Sequence, residues 1–286
     1  MLTAKVNGIE LAYDRIGSGP DILFVHGIPT DYRAWQAQIP VFSKGYRMIT
    51  FSRRLAHPNR NQSSPAESTI QNNAKDLEDL IHETSSPPIH LVGHSYGGFI
   101  ASYLAANHPE LVKKLVLIEP GISTLLIQDP ASRAQMLSLL FRNPSVALAA
   151  GRYLRRYYNP MLDTYHKGDL DNALRLFLDG LMNTHDGFGR LPTEVQTMVK
   201  ENASTIGEVE AKLPTFAEKD ARRISSPTLL INGANGTKIF RAINGELAKS
   251  IPNCHTELIP QSSHFPHFEN PASFNQTVSD FLSRPS

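Results

Sequence analysis

A serine placed between glycines is the feature of this sequence that most directly suggests chemistry. Residues 93–97 read Gly-His-Ser-Tyr-Gly, with Ser95 at the centre, and fit the pattern Gly-x-Ser-x-Gly. An apolar run precedes the motif at residues 89–92, and an Ala-rich run follows it at residues 99–107. The pattern predicts a strand, a sharp turn and a helix, with the Ser95 hydroxyl presented at the turn as a nucleophile.

A second motif could stabilise negative charge on an oxygen atom. Residues 26–29, His-Gly-Ile-Pro, directly follow an apolar run. Acyl transfer needs fixed N–H donors for the oxyanion, and we expect the backbone N–H groups of Ile28 and Tyr96 to provide them. Gly27 lets the backbone turn towards the substrate, and we expect Gly27 and His94 to contact it. An ordinary strand-to-helix turn is the alternative interpretation.

A general base must lie close enough to the serine to accept its proton. His264 comes soon after the last predicted strand, so it would reach the carboxyl edge of the sheet, where the serine lies. The chain order serine, acid, histidine also favours a histidine near the end of the chain. His267 is the alternative, and we expect it to pack or to form hydrogen bonds locally.

The carboxylate that would orient this histidine is absent from its usual position. The turn after the predicted strand at residues 227–233 contains Asn235 but no acidic residue. Glu119 ends the apolar strand at residues 112–119, beside the strand that carries the serine, and is our candidate for the acid. A solvated glutamate at a strand end is the alternative.

Strands alternate with helices along most of the chain, which predicts a mostly parallel α/β sheet covered by helices on both faces. We expect an opening hairpin at residues 6–16, around Asn7-Gly8. Further strands are expected at residues 21–26, 46–52, 89–92, 112–119, 227–233 and 255–259. Helices are expected at residues 32–43, 69–83, 99–107, 240–250 and 272–283.

The alternation stops at residues 122–223, where the periodicity is helical and prolines divide the stretch into short segments. We therefore predict an α/β core of residues 1–121 and 224–286, with residues 122–223 as a helical cap. Some apolar residues of this segment either line an acyl pocket or pack against the core: Leu139, Leu140, Phe141, Leu176, Phe177, Leu181 and Met182.

The composition argues against several classes of protein. The 286 residues carry a formal net charge of +1, without the basic excess of a nucleic-acid binder. No apolar run approaches the ~18 residues of a membrane span, and the first residues lack the apolar centre of a signal peptide. Cys254 is the only cysteine, so no intrachain disulfide forms. We expect a cytoplasmic protein with no membrane or nucleic-acid partner, and neither a metal nor an organic cofactor, because no ligand motif or nucleotide fingerprint occurs.

Together these motifs resemble the α/β-hydrolase fold superfamily over nearly the whole chain. The resemblance implies an eight-stranded, mostly parallel sheet with an inserted cap, and residues 26–29 are similar to the oxyanion-hole motif His-Gly-x-Pro. Epoxide hydrolases and haloalkane dehalogenases share that motif but use an aspartate where this chain has Ser95, so likeness to them implies fold rather than chemistry. Certain haloalkane dehalogenases and the zearalenone-type lactone hydrolases carry the acid where this chain has Glu119.

The expected activity is hydrolysis of a carboxylic ester or lactone of a small molecule through an acyl-enzyme intermediate. Ser95 would attack, His264 would transfer the proton, and Glu119 would orient His264. The same residue types can hydrolyse a C–C bond in a β-diketone-like ring-cleavage product, and perhydrolase or haloperoxidase-like activity is a further alternative. From another class, a non-catalytic ligand-binding receptor or pseudoenzyme would use the pocket without turnover.

The loop after the predicted strand at residues 46–52 is rich in positive charge. Arg53, Arg54, His57 and Arg60 follow that strand towards the expected active edge. They either bind a carboxylate or other polar group of the substrate, with Arg53 as the first candidate, or are solvated. A homodimer is also compatible with the sequence.

Overall fold

One sheet of eight strands forms the centre of the molecule, in a computed structural model that describes residues 1–59, 64–129 and 132–285. The strands are β1 (Leu2–Val6), β2 (Ile9–Ile16), β3 (Asp21–Val25), β4 (Arg47–Phe51), β5 (Ile89–His94), β6 (Val112–Ile118), β7 (Thr228–Gly233) and β8 (Cys254–Ile259). Their order across the sheet is β1-β2-β4-β3-β5-β6-β7-β8. Only β2 pairs antiparallel with its two neighbours, so the prediction of a mostly parallel α/β sheet is confirmed.

The opening hairpin forms where the sequence predicts it. Val6 pairs with Ile9, which leaves Asn7 and Gly8 as a two-residue loop. Both loop residues have positive φ, 44° for Asn7 and 81° for Gly8. A tight hairpin turn with this backbone favours asparagine followed by glycine, so the local sequence is sufficient to specify the turn.

Helices connect the parallel strands and also fill the segment between β6 and β7. In the described part of the chain they are α1 (Ile39–Phe42), α2 (Ile70–Thr84), α3 (Ser95–Asn107), α4 (Arg133–Arg142), α5 (Pro144–Tyr153), α6 (Asn159–His166), α7 (Leu170–Met182), α8 (Thr193–Glu201), α9 (Glu218–Ala221), α10 (Lys238–Ser250), α11 (Pro266–Glu269) and α12 (Pro271–Ser283). The prediction of one helix at residues 32–43 is wrong, because a 3₁₀ turn at Tyr32–Trp35 is followed by the separate, short α1. Pro40 in the first turn of α1 has no N–H to continue a longer helix.

The strands at the middle of the sheet are buried along their whole length. Every residue of β3, β5 and β7 is buried, as parallel strands covered on both faces require. The helices contribute apolar faces to this core, and α2 buries Leu77, Leu80 and Ile81 among others. Helix α3 is buried along most of its length, including its first residue, Ser95.

Because β3 and β5 to β8 are parallel, their carboxyl ends meet at one edge of the sheet. Ser95 follows β5, Glu119 follows β6, and the loop that contains His264 follows β8. His26 and Gly27 follow β3 at the same edge. The topology therefore brings together candidate groups that the sequence spreads from residue 26 to residue 264.

Residues 122–223 contain helices and turns, and no strand occurs there among the residues that the structure describes. Leu139, Phe177, Leu181 and Met182 of this segment are buried, and Leu176 is half-buried. Leu140 and Phe141 are instead 41% and 85% exposed. The expectation that these two residues line an acyl pocket or pack against the core is therefore wrong. They lie on the outer face of α4, whose opposite face carries the buried Leu139.

Five histidines are buried in the described chain: His26, His90, His94, His264 and His267. Burial penalises the charged imidazolium, so it lowers the pKa of each ring, to about 4 for His90 and to about 3 for His264. His90 lies in β5 away from the carboxyl edge, with its ring edge-on to Tyr46. Histidines that remain neutral in the folded state make stability depend on pH.

Replacing Gly97 with alanine should destabilise the fold. A Cβ at Gly97 would overlap the backbone carbonyl oxygens of Val25 and His26, which cannot move without disturbing β3. We expect a loss of about 2 kcal/mol or more in the free energy of unfolding, measured by urea denaturation. Gly245→Ala is the matched control, because this helical glycine has open space around it, and it should stabilise by up to ~1 kcal/mol. Equal stability of the two variants would contradict this account.

Stability should fall as the pH is lowered below about 6.5. In that range the unfolded chain protonates its histidines while the folded chain keeps the buried rings neutral, so the unfolded state binds more protons. Each such histidine contributes a slope of up to ~1.4 kcal/mol per pH unit. His90→Gln should reduce the slope between pH 6.5 and pH 4, where His90 has its lowered pKa of about 4.

Burial raises the pKa of Glu119, which favours proton binding by the folded state and so opposes the effect of the histidines on stability. This contribution is the same in parent and variant, so the difference between their slopes reports on His90. The control replaces the exposed His82 with glutamine. The free energy of unfolding of this variant should depend on pH as that of the parent does. Urea denaturation at pH 8, 6 and 5 provides the measurement. A slope in His90→Gln identical to that of the parent would refute the assignment of His90 as a neutral buried ring.

Candidate active site

Ser95 lies at the turn between β5 and α3. Its φ is 53°, in the left-handed region that costs energy for any residue other than glycine. The neighbouring positions must be small: a Cβ on Gly93 would lie 2.7 Å from the carbonyl oxygen of Gly97 and 2.8 Å from Cβ of Ala101. The strand and helix therefore approach closely, and the Gly-x-Ser-x-Gly pattern satisfies the steric requirement of this turn.

The turn after β3 lies directly against Ser95. A Cβ on Gly27 would be only 2.9 Å from Cβ of Ser95, so glycine is needed for this close approach. The N–H of Ile28 has no hydrogen-bond acceptor among the residues described. Tyr96 lies in the first turn of α3, where helical N–H groups have no intrahelical acceptor and the helix dipole favours negative charge.

His26 stabilises the shape of this turn. Its Nε2 accepts a hydrogen bond of 3.0 Å from the backbone N–H of Arg53, and its Nδ1 donates to the carbonyl oxygen of Gly27 at 2.9 Å. These two partners select the tautomer that has its proton on Nδ1. The buried ring thus fixes the main chain beside Ile28, through bonds to Gly27 in the turn after β3 and to Arg53 in the loop after β4.

The side chains of Glu119 and His264 form a fully buried hydrogen bond. Nδ1 of His264 lies 2.8 Å from Oε2 of Glu119, and both side chains have 0% exposure. With its Nδ1 proton donated to the carboxylate, the ring has an unprotonated Nε2. That nitrogen is buried and has no hydrogen-bond partner in the described part of the chain, so it is available as a base.

Two further donors surround the Glu119 carboxyl group. Oε1 accepts the backbone N–H of Gly233 at 3.0 Å and the side-chain amide of Asn232 at 3.4 Å. Burial raises the pKa of Glu119, and these donors and the charge of Arg241 oppose that rise and favour the carboxylate. Burial also lowers the pKa of His264 to about 3, so the ring is neutral. When His264 accepts a proton, its charge arises beside Glu119, which offsets the cost of burying both charges.

The rest of the His264 loop is positioned by specific contacts. Phe240 of α10 stacks on the imidazole ring, with ring centroids 4.3 Å apart and planes 26° from parallel. Nε2 of His94 donates to the backbone carbonyl of His264 at 2.8 Å. Glu269 accepts the N–H of Ser263 at 2.8 Å and of Phe265 at 3.1 Å, on either side of His264. The ring consequently has little freedom to leave Glu119.

His267 does not contact Glu119. Its buried ring stacks on Trp35 at 4.8 Å and lies 4.6 Å from the ring of His94. Its backbone carbonyl accepts a hydrogen bond from the side chain of Gln38. The structure therefore places His264 against the carboxylate, while His267 packs in the core behind it.

Arg53 is already paired within the protein. Its side chain has 0% exposure, and its Nη1 lies 2.5 Å from Oε2 of Glu208, in the segment Ala203–Glu210. The guanidinium lies 4.9 Å from the centre of the Tyr96 ring. Glu208 also accepts a hydrogen bond from the hydroxyl of Ser68, whose carbonyl accepts the Tyr96 hydroxyl at 2.7 Å.

Two further residues of this loop, Arg54 and His57, also form contacts within the protein. Arg54 forms a buried ion pair with Asp76, and the N–H of His57 donates to the side chain of Asn202. Arg60 lies outside the described residues. The expectation that this loop offers a substrate an open guanidinium does not fit the positions of Arg53 and Arg54.

Sequence reasoning missed Glu208, Ser68 and Phe240 as contacts of the site. Glu208 gives one weak signal, because a carboxylate within the mostly apolar stretch Ile206-Gly207-Glu208-Val209 needs a partner if it is buried. Ser68 and Phe240 have no such signal.

Among the described residues no group of three or more His, Cys, Asp or Glu side chains could hold a metal ion. In the same residues, no helix combines the length and apolarity needed to cross a bilayer.

Comparison with known proteins identifies the family of this chain. Residues 20–271 match the family model of the alpha/beta hydrolase fold. The chain is 25% identical to the sn-1-specific diacylglycerol lipase ABHD11 of Mus musculus, covering 98% of this chain and 87% of that protein. It is also 25% identical to a 2-hydroxy-6-oxononadienedioate/2-hydroxy-6-oxononatrienedioate hydrolase of Cupriavidus pinatubonensis, covering 93% of this chain and 88% of that protein.

A solved structure shows the same fold. The enol-lactonase of Burkholderia xenovorans LB400 superimposes with a TM-score of 0.66 at 23% identity, covering 99% of this chain and 100% of that one. The family match spans most of the chain, including every strand from β3 to β8. The protein therefore belongs to the α/β-hydrolase family and is a hydrolytic enzyme.

Proposed function

We propose that this enzyme hydrolyses a carboxylic ester or lactone of a small molecule, with Ser95, His264 and Glu119 as its catalytic triad. The observation that carries the proposal is the buried hydrogen bond of 2.8 Å between His264 and Glu119. It leaves Nε2 of His264 unpartnered among the described residues, at the edge of the sheet that carries Ser95. The relatives named as a lipase and as an enol-lactonase support this class of reaction.

In the first half of the reaction, Nε2 of His264 accepts the hydroxyl proton of Ser95 while Oγ attacks the carbonyl carbon. The carbonyl oxygen becomes an oxyanion that accepts hydrogen bonds from the N–H groups of Ile28 and Tyr96. The imidazolium that forms is stabilised by the carboxylate of Glu119. His264 then donates its proton to the leaving oxygen, the C–O bond breaks, and the acyl group remains on Ser95.

In the second half, water replaces the alcohol. His264 accepts a proton from water, the hydroxide oxygen attacks the acyl carbon, and the same N–H groups bind the second oxyanion. Collapse of this intermediate returns the proton to Oγ of Ser95 and releases the carboxylic acid. With a lactone, the alcohol and acid of the product are parts of one molecule.

We assign residues 122–223 the role of a cap over this site. The segment is inserted between β6 and β7, whose carboxyl ends lie at the active edge. The buried ion pair between Glu208 of the insertion and Arg53 of the core lies against the ring of Tyr96. Gly27 and His94 lie next to Ser95, at the floor beneath this cap, and would contact the substrate.

Hydrolysis of a C–C bond is the second candidate, favoured by the likeness to the Cupriavidus pinatubonensis hydrolase. A substrate with carboxylate groups would need free cations, whereas Arg53 and Arg54 are both paired within the protein. This arrangement favours the ester or lactone. Assays with short p-nitrophenyl esters, simple lactones and a ring-cleavage product separate the two, and turnover of the last alone would select the second candidate.

A fluorophosphonate probe should label Ser95. An activated serine attacks the phosphorus centre, and the stable adduct is located by peptide mass spectrometry. We expect the labelling to disappear in Ser95→Ala and in His264→Ala, because the second variant lacks the base. His255→Ala, which removes an exposed histidine from β8, is the control and should be labelled as the parent is. Ester turnover retained by Ser95→Ala would exclude this nucleophile.

Glu119→Gln should lower kcat roughly a hundredfold or more with a smaller effect on KM. The amide keeps the size of the side chain, but it cannot stabilise the imidazolium and favours the wrong tautomer of His264. Glu257→Gln makes the same chemical change at an exposed position on β8 and should leave kcat unchanged. Circular dichroism confirms that both variants are folded. Near-parental kcat in Glu119→Gln would show that another group supplies the acid.

A further inference from the structure

Helices α4 and α5 form a hairpin with an unusually apolar outer surface. Phe141 is 85% exposed, Leu148 66%, Leu137 54% and Leu140 41%. The opposite face of the hairpin is already buried, through a small cluster centred on Leu139, Val146 and Ala147. The exposed side chains are therefore not needed for packing of the hairpin onto the protein, and their exposure to water is unfavourable.

The same hairpin and the turn after it are strongly basic. Between residues 130 and 162 there are five arginines and neither an aspartate nor a glutamate. The arginines are Arg133, Arg142, Arg152, Arg155 and Arg156, and all are exposed. Within the described residues no ion pair involves Arg133, Arg152 or Arg155. A positive charge of this density is not compensated by neighbouring carboxylates.

The apolar and basic side chains lie on the same outward faces. Arg133, Leu137 and Phe141 are four residues apart in α4, a spacing that aligns side chains along a helix. Leu148 and Arg152 have the same spacing in α5. Each helix therefore presents an apolar side chain with a guanidinium one turn away.

We propose that the α4–α5 hairpin docks onto the surface of an anionic lipid bilayer. Exposed leucine and phenylalanine side chains would enter the boundary between headgroups and acyl chains, while arginines bind lipid phosphates. Attraction of unpaired arginines to an anionic leaflet adds to the apolar contribution. A second copy of the chain fits this surface less well, because self-association would bring two sets of uncompensated arginines together.

Docking of this kind needs no membrane-spanning helix, so it is compatible with the absence of one in the described chain. The hairpin also forms one wall of a cavity of about 380 Å³, whose opposite wall includes Ala242 and Gly245 of α10. The same helix carries Phe240, which stacks on His264. A docked hairpin would thus connect the lipid surface with the helix that contacts the catalytic base, although docking itself does not depend on the proposed function.

Co-sedimentation with vesicles tests the proposal. The purified parent should bind vesicles of phosphatidylcholine mixed with phosphatidylserine, bind phosphatidylcholine alone more weakly, and lose affinity as salt is added. The double variant Phe141→Ser/Leu148→Ser should weaken binding to the mixed vesicles at least about tenfold. Arg152→Gln/Arg155→Gln should remove most of the dependence on phosphatidylserine. All four positions are exposed at the surface, and circular dichroism verifies folding.

Two control variants change the same residue types elsewhere. Leu258→Ser removes a leucine that is 59% exposed on β8, and Arg190→Gln removes an exposed arginine outside the hairpin. Both should bind vesicles as the parent does. The proposal fails if the parent does not sediment with mixed vesicles, or if controls and hairpin variants are affected equally. It also fails if sedimentation velocity shows a dimer that Phe141→Ser/Leu148→Ser abolishes while vesicle binding persists, since the surface would then be an interface between two copies.

Discussion

The hydrogen bond between Glu119 and His264 is the interaction on which the arrangement of the site depends. A carboxyl group with 0% exposure is costly unless its lone pairs have donors, and here three donors from the end of β7 and the loop after β8 provide them. β6 supplies the carboxyl group, the end of β7 supplies an amide and a backbone N–H, and the loop after β8 supplies the imidazole. The sheet order β5-β6-β7-β8 makes this possible, because it places these strand ends side by side. Any movement of one loop would leave a buried polar group of another without a partner.

The same interaction explains why the turn after β7 has no acidic residue. This turn lies against Glu119, and a Cβ on Gly236 would overlap Oε1 of that residue. Gly233 is equally restricted, since a Cβ there would overlap the backbone carbonyls of Ser262 and Ser263. A second carboxylate so close to Glu119 would be repelled by it and would require further donors. The position of Glu119 and the presence of glycine at positions 233 and 236 therefore depend on one another sterically.

Much of this site follows from the sequence, because parallel strands end at one edge and the residue after each strand is identifiable. That position, together with the Gly-x-Ser-x-Gly motif and the chain order of serine, acid and histidine, made Ser95, Glu119 and His264 the candidates, and Asn7-Gly8 specified the hairpin through its backbone preference. Contacts between distant elements could not be predicted in this way. Arg53 and Glu208 are 155 residues apart, and neither flanking sequence carries a pattern that selects the other. Leu140 and Phe141 show a second limit of sequence-based prediction. Helical periodicity indicates which residues share a face of a helix, but it does not say whether another element covers that face.

The insertion between β6 and β7 is attached to the core in two physically different ways. Around residues 201–208 the attachment includes charged and polar contacts: Arg33 pairs with Glu201, Asn202 donates to Asp31, and Glu208 pairs with Arg53. Removal of one member of a fully buried ion pair leaves an uncompensated charge, which typically costs about 3–5 kcal/mol, so this attachment is specific in geometry. The α4–α5 hairpin is attached mainly by a small apolar cluster, which has no directional requirement and tolerates sliding. Adjustment of the insertion to a ligand or a surface should therefore concentrate in the hairpin, while the segment beside Tyr96 keeps its position relative to Ser95, Glu119 and His264.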